Sequence, residues 1–160
     1  MRRFVLASIL GLSLTLGSTL AVAAADPVTV SYAGCVFGNG GSAVVPADSA
    51  VTITFGWSAD TRAQVAGFLK AVTTYASIDS TTVANGNSYF SAPAMVSGGW
   101  ATIWTYPTGR SLASGESMNV TLNFYLSRKV GTGRDLVTGR PLKAGPGFVM
   151  PQGLSCTVQA

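Results

Sequence analysis

The chain has 160 residues, of which 48 % are hydrophobic and only 10 % charged, with a formal net charge of +4. That balance excludes an intrinsically disordered chain, which needs high charge and few aromatics, and the modest charge argues against a nucleic-acid binder. Histidine is absent, which removes the commonest general base and metal ligand and excludes Ser-His-Asp and Cys-His hydrolases.

The first element is an export signal. Arg2 and Arg3 precede an apolar stretch from Phe4 to Leu20, and Ala21-Val22-Ala23-Ala24-Ala25 supplies small residues for cleavage. This grammar predicts a cleavable signal peptide over 1–25 and a protein that is secreted or held at the cell surface. A retained membrane span is disfavoured because the run is short, rich in Gly, Ser and Thr, and followed by no basic stop-transfer cluster. Residues 26–160 then form a single domain, long enough for its own core. With Arg2 and Arg3 gone, eight basic residues face six acidic ones, a charge of +2.

Strand signals dominate this domain. Val28, Val30 and Tyr32 alternate with Thr29 and Ser31, and Val51, Ile53, Phe55 and Trp57 alternate with Thr52, Thr54 and Gly56. Period-2 alternation of this kind marks a strand buried on one face. One helix interrupts the pattern. Thr61-Arg62-Ala63-Gln64 fits a capping box, and Val65, Phe68, Leu69 and Val72 form the apolar stripe of a short helix near 61–70. Residues 71–78 and 81–84 flank the turn candidate Asp79-Ser80 as a hairpin. Trp100 to Tyr106 is a strand that Pro107 and Gly109 should close. Ser117 to Leu126 is the longest, with Met118, Val120, Leu122, Phe124 and Leu126 on one face and Asn119, Thr121, Asn123 and Tyr125 on the other. Leu154, Cys156 and Val158 form the last strand. About seven short strands with one helix predict an all-β fold of two packed antiparallel sheets.

Leu112-Ala113-Ser114-Gly115 before the strand from Met118 resembles the entry to a late strand of immunoglobulin-like domains. Phe55-Gly56-Trp57-Ser58-Ala59, with Gln64-Val65 and Phe68-Leu69, is similar to a stretch in secreted bacterial proteins of uncharacterised function. The resemblance covers about residues 50–126 and rests on residues that mostly encode packing. It implies an immunoglobulin-like antiparallel β-sandwich that binds or scaffolds, with no catalytic residue to carry over. The chain departs from antibody-type domains because its cysteines are terminal and flank no central tryptophan.

Four sets of residues are candidates for a special role. Cys35, at the end of the first strand, and Cys156, in the last, are an even pair in an exported chain and predict a disulfide around about 120 residues. Tyr32-Ala33-Gly34-Cys35 faintly resembles a lipidation box, but Asp26 to Ser31 separate it from the apolar run, and lipidation would leave Cys156 unpaired. No Cys-x-x-Cys spacing suggests redox work, and nothing pairs the six carboxylates as a glycosidase needs. The second set is the oxygens of the Asp79 turn and Asn85-Gly86-Asn87, which lack the ligand density of a calcium loop. No cofactor is expected, and the domain is not expected to be an enzyme.

The third set is Trp100, Trp104 and Tyr106, which share one strand face. Exposed, they would be a platform for sugar rings and the site of a small carbohydrate-binding module. Turned inward they are simply core, and core residues outnumber exposed platforms. The fourth is the basic, glycine-rich loop 127–153, with Arg128, Lys129, Arg134, Arg140 and Lys143 against Asp135 alone. It reads as a solvated loop with a short hairpin around Val137, or as a contact for an anionic partner through Arg134, Arg140 and Lys143. The partners expected are therefore a cell-surface glycan, an anionic polymer or another secreted protein.

Overall fold

The computed structural model describes residues 25–160, so the predicted signal peptide lies almost wholly outside the described residues. The chain runs β1 (Val28–Ser31), a π-helical turn (Gly34–Gly38), β2 (Ser42–Val44), β3 (Ala50–Ala59), α1 (Arg62–Ala71), β4 (Val72–Ile78) and β5 (Thr81–Thr82). A 3-10 turn (Gly86–Tyr89) leads to β6 (Ala94–Val96), β7 (Gly99–Ser111), β8 (Ser117–Leu126), β9 (Gly133–Asp135), β10 (Pro141–Leu142), β11 (Gly147–Phe148) and β12 (Ser155–Gln159).

These strands form two sheets with a common plan. In the first, β3 and β7 pair antiparallel along most of their length, β6 flanks β7, and the far edge of β3 is shared. Its first half takes β1 in parallel and its second half takes β9, beyond which lies β10. In the second sheet β4 and β8 are the long antiparallel pair and β5 flanks β4. The far edge of β8 is shared by β12, which carries β2 in parallel, and by β11. The fold is thus the expected all-β sandwich, with two parallel edge pairings added to an otherwise antiparallel plan.

Alternation in the sequence dictates the core. Val51, Ile53, Phe55 and Trp57 of β3 and Met118, Val120, Leu122, Phe124 and Leu126 of β8 are all buried, as period-2 spacing requires. The two inner faces meet at Phe55 and Phe124, whose ring centroids are 4.7 Å apart. Helix α1 carries the chain from the first sheet to the second. Its capping box is complete: the Thr61 hydroxyl accepts from Gln64 N at 3.3 Å, and Gln64 Oε1 accepts from Thr61 N at 3.0 Å. Phe68 from the helix stacks on Trp57 at 4.3 Å, closing one end of the core. Trp57 needs room on its other side, and Gly133 provides it. A Cβ at Gly133 would collide with the indole, so only glycine lets β9 cross there.

Several expected boundaries shift for identifiable reasons. Cys35 lies in the π-helical turn after β1 and not in the strand, while Cys156 lies within β12 as expected. Their disulfide, with Cα atoms 5.8 Å apart, ties the crossing from β1 to β2 onto the second sheet. Pro107 does not end β7, which continues to Ser111. The register slips between Ala50 and Thr52 opposite it, and the Thr108 hydroxyl donates to Val51 O at 2.7 Å. A proline is tolerated where an irregularity has already interrupted the ladder. Loop 127–153 is more ordered than its composition suggests. The hairpin expected around Val137 exists as β9–β10, and β11 adds a third short strand.

At one end of the sandwich the Asp79-Ser80 turn has positive φ at both residues, 46° and 69°, which suits a two-residue hairpin. Asp79 then links the sheets: its Oδ1 accepts from Asn119 N at 2.7 Å, and its Oδ2 takes an ion pair from Arg110 of β7. The Asn119 amide and then Arg110 hold the Asp79 carboxyl below its ordinary range. A depressed carboxylate contributes stability above the unfolded-state value, about pH 4, and loses it as pH falls through the folded value. We therefore expect Asp79→Asn to lower Tm at pH 6, with the gap to the wild type narrowing as pH falls below about 4. A constant gap in Tm across that range would refute the linkage.

Candidate functional site

The outer face of the second sheet carries a concave surface. In β4, Thr73, Tyr75 and Ser77 point away from the core, and in β8 so do Thr121, Asn123 and Tyr125. The register sets Tyr75 opposite Asn123 and Ser77 opposite Thr121, whose hydroxyl oxygens are 2.6 Å apart. Tyr125 lies diagonally from Tyr75, within reach of long side chains. Phe148 of β11, opposite Tyr125 on the other side, joins them into one cluster. Its ring centroid is 5.7 Å from that of Tyr75 and 5.5 Å from that of Tyr125, both in tilted or edge geometry. Tyr75 is 54 % exposed and Tyr125 38 %, unusual for aromatic rings on a rigid sheet.

A wall turns this face into a trough of about 510 Å³. Asn123 Nδ2 donates to Met150 O at 3.1 Å and Pro151 O at 3.3 Å, and its Oδ1 accepts from Met150 N at 3.3 Å. Asn123 is therefore spent on holding the segment that leads into Gln152, Gly153 and Leu154. The far end of that segment is held too, because buried Tyr32 donates its hydroxyl to Leu154 O at 2.7 Å. Burial pushes the Tyr32 phenol up from its ordinary value, so it stays protonated as a donor. The groups left to meet a ligand in the trough are the Tyr75 and Phe148 rings, the Ser77–Thr121 hydroxyl pair, Thr82 and the Gln152 amide, with Tyr125 packed on Phe148 beside it. No charged side chain lines the trough.

The candidate platform of Trp100, Trp104 and Tyr106 lies on the first sheet, with Trp104 buried and the other two half-buried. Trp104 is 1 % exposed, its Nε1 donates to Gly86 O at 2.7 Å, and its ring stacks on Tyr106. Tyr106 is half-buried and meets Tyr89 edge-on at 4.9 Å. Trp100 is half-buried under the Arg62 guanidinium, 5.6 Å from its ring centroid. The three residues share one face as the spacing requires, but that face is the core, so Trp104 has no free ring to offer. Thr102, between them, is buried with its hydroxyl donated to Ser91 O at 2.6 Å.

The basic residues are exposed but differently engaged. Arg134 and Arg140 belong to the β9–β10 hairpin, where Arg134 lies opposite Pro141. Arg140 is drawn onto Phe37, with its guanidinium carbon 4.3 Å from the ring centroid. Lys143 follows β10, its Nζ against Gly147. Asp135, the lone acidic residue of this segment, is buried and structural. Its Oδ1 accepts from Val137 N, Thr138 N and Thr138 Oγ1, which shapes the hairpin turn.

Among the described residues, no group of three or more His, Cys, Asp or Glu side chains is placed to hold a metal ion. No helix among them is long and apolar enough to cross a membrane. The disulfide fits an oxidising setting. Comparison with family models, curated proteins and solved structures finds no match.

Sequence reasoning missed the aromatic cluster because its three rings come from separate contexts. Tyr125 stands on the polar face of its strand, which was the available signal. Tyr75 lies within a Thr- and Ser-rich strand, and Phe148 lies within the basic loop. Only the β4–β8–β11 pairing brings them together.

Proposed function

We propose that this is an exported, non-catalytic binding or scaffolding domain, immunoglobulin-like in design, whose contact face is the outer surface of its second sheet. The observation that carries the reading is the partly exposed Tyr75–Tyr125–Phe148 cluster, two of whose rings, Tyr75 and Phe148, line a trough whose floor is a sheet and whose wall is pinned at Asn123 and Tyr32. Aromatic side chains supply large contact area with few rotatable bonds, and a rigid floor keeps the ordering cost of binding low. The export signal and the disulfide support an extracellular setting for this role.

The reading predicts that a Tyr75→Ser, Tyr125→Ser double variant keeps its fold, since both rings are partly exposed, but is no longer retained on cell-surface material from the producing cell. Circular dichroism and a retention assay on the purified protein check the two halves. Retention equal to the wild type would sink the assignment of this face.

A further inference from the structure

We infer that the trough takes a neutral carbohydrate, an extended chain of uncharged sugar rings; the inference rests on the binding-face reading above. Three features of the site lead to it.

The first is charge. The side chains around the trough are aromatic, aliphatic, hydroxyl or amide, without a carboxylate, ammonium or guanidinium. An acidic polymer laid there would lose hydration and gain no counter-charge, which is unfavourable. Lys143, with its Nζ against Gly147, is not among the lining residues. The basic hairpin residues Arg134 and Arg140 belong to the first sheet.

The second is the interleaving of ring and polar groups. A sugar ring has an apolar face of C–H bonds and a rim of hydroxyls that both donate and accept. Tyr75 and Phe148 supply apolar plates for such faces, and Tyr125 packs on Phe148 from outside the lining. The Ser77–Thr121 hydroxyls and the Gln152 amide supply donors and acceptors beside them. A wholly apolar ligand would bury the Gln152 amide and the remaining capacity of the Ser77–Thr121 pair without new partners, at a cost.

The third is what the surface withholds. Over the trough β8 is paired with β4 on one side, while on the other β12 stops at Thr121, β11 begins at Tyr125, and between them Phe124 N donates to Asn123 Oδ1 and Phe124 O accepts from Val149 N. Its backbone groups are therefore occupied, and an extended peptide cannot add to the ladder there. The trough's volume of about 510 Å³ suits a few ring-sized units.

Isothermal titration of the purified protein with neutral hexasaccharides of glucose, mannose, xylose and N-acetylglucosamine tests this, with oligogalacturonate as the charged comparison. At least one neutral chain should bind, with an affinity that changes little between low salt and 1 M salt. Tyr75→Ala and Tyr125→Ala should each weaken it by about tenfold, while Tyr75→Phe, which keeps the ring, should retain most of it. Preference for oligogalacturonate with strong salt dependence would overturn the neutral-ligand assignment. If no sugar binds but the double serine variant still loses cell-surface retention, or the wild type self-associates through this face, the face stands and the carbohydrate assignment falls. Binding unaffected by either alanine variant would overturn both.

Discussion

Replacing both Cys35 and Cys156 with alanine should destabilise the domain by on the order of 4–5 kcal/mol, the largest effect expected of any small change to this chain. The bond spans 121 residues of sequence, so it removes a large share of the freedom of the unfolded chain. It also ties the π-helical turn, where the chain passes from one sheet to the other, onto β12. That crossing is otherwise held by two short parallel pairings at sheet edges, and both cysteines are buried. Denaturant unfolding of the wild type with and without reductant checks the size of the effect. A midpoint that does not move under reduction would show that the turn and β12 hold the crossing without the bond.

The second large effect is expected at Trp104. Trp104→Ala should cost about 3–5 kcal/mol, because it removes a fully buried ring and leaves a cavity beside Tyr89 and Tyr106. It also strips the Gly86 carbonyl of the indole N–H that satisfies it. Trp104→Phe should recover most of the packing but not that hydrogen bond, and so fall between the two. These losses are read from denaturant midpoints with unchanged slope. If Trp104→Ala instead left stability intact, the tryptophan strand face would not be core, and the sugar-platform assignment of Trp100, Trp104 and Tyr106 would return.

The long strands and the helix were legible because each is locally determined. β3 and β8 alternate over seven or more positions with large inward residues, and α1 announces itself through Thr61 and Gln64 at the spacing of a reciprocal cap. The additional short strands β2, β6 and β11 have two or three residues each, and β9 and β10, expected only as a hairpin around Val137, are no longer than that. No periodicity can be read over so short a span, and these strands exist because a neighbouring edge is there to pair with. Gly133 illustrates the difference. In the sequence it is one glycine of a loop, whereas in the fold it is the position where β9 crosses the Trp57 indole.

The same distinction explains the candidate site. Parity correctly put Trp100, Trp104 and Tyr106 on one face, but it carries no information about which face is covered. Pairing with β3 decides that: Trp104 falls opposite Phe55 and Tyr106 opposite Ile53, both core residues. The partly exposed rings are instead those whose own strands point them away from Ala76, Leu122 and Phe124. The cluster depends on cross-strand register, which strand propensity does not encode.

The most direct test of the binding face is to map contacts residue by residue. Isotope-labelled protein would be titrated with soluble extracellular material from the producing cell while backbone amide shifts are followed. The binding-face reading predicts that shifts concentrate at Tyr75, Ser77, Thr121, Tyr125, Phe148 and Gln152, with the β9–β10 hairpin unchanged. Shifts confined to Arg134, Arg140 and their neighbours would contradict it and hand the role to the basic hairpin.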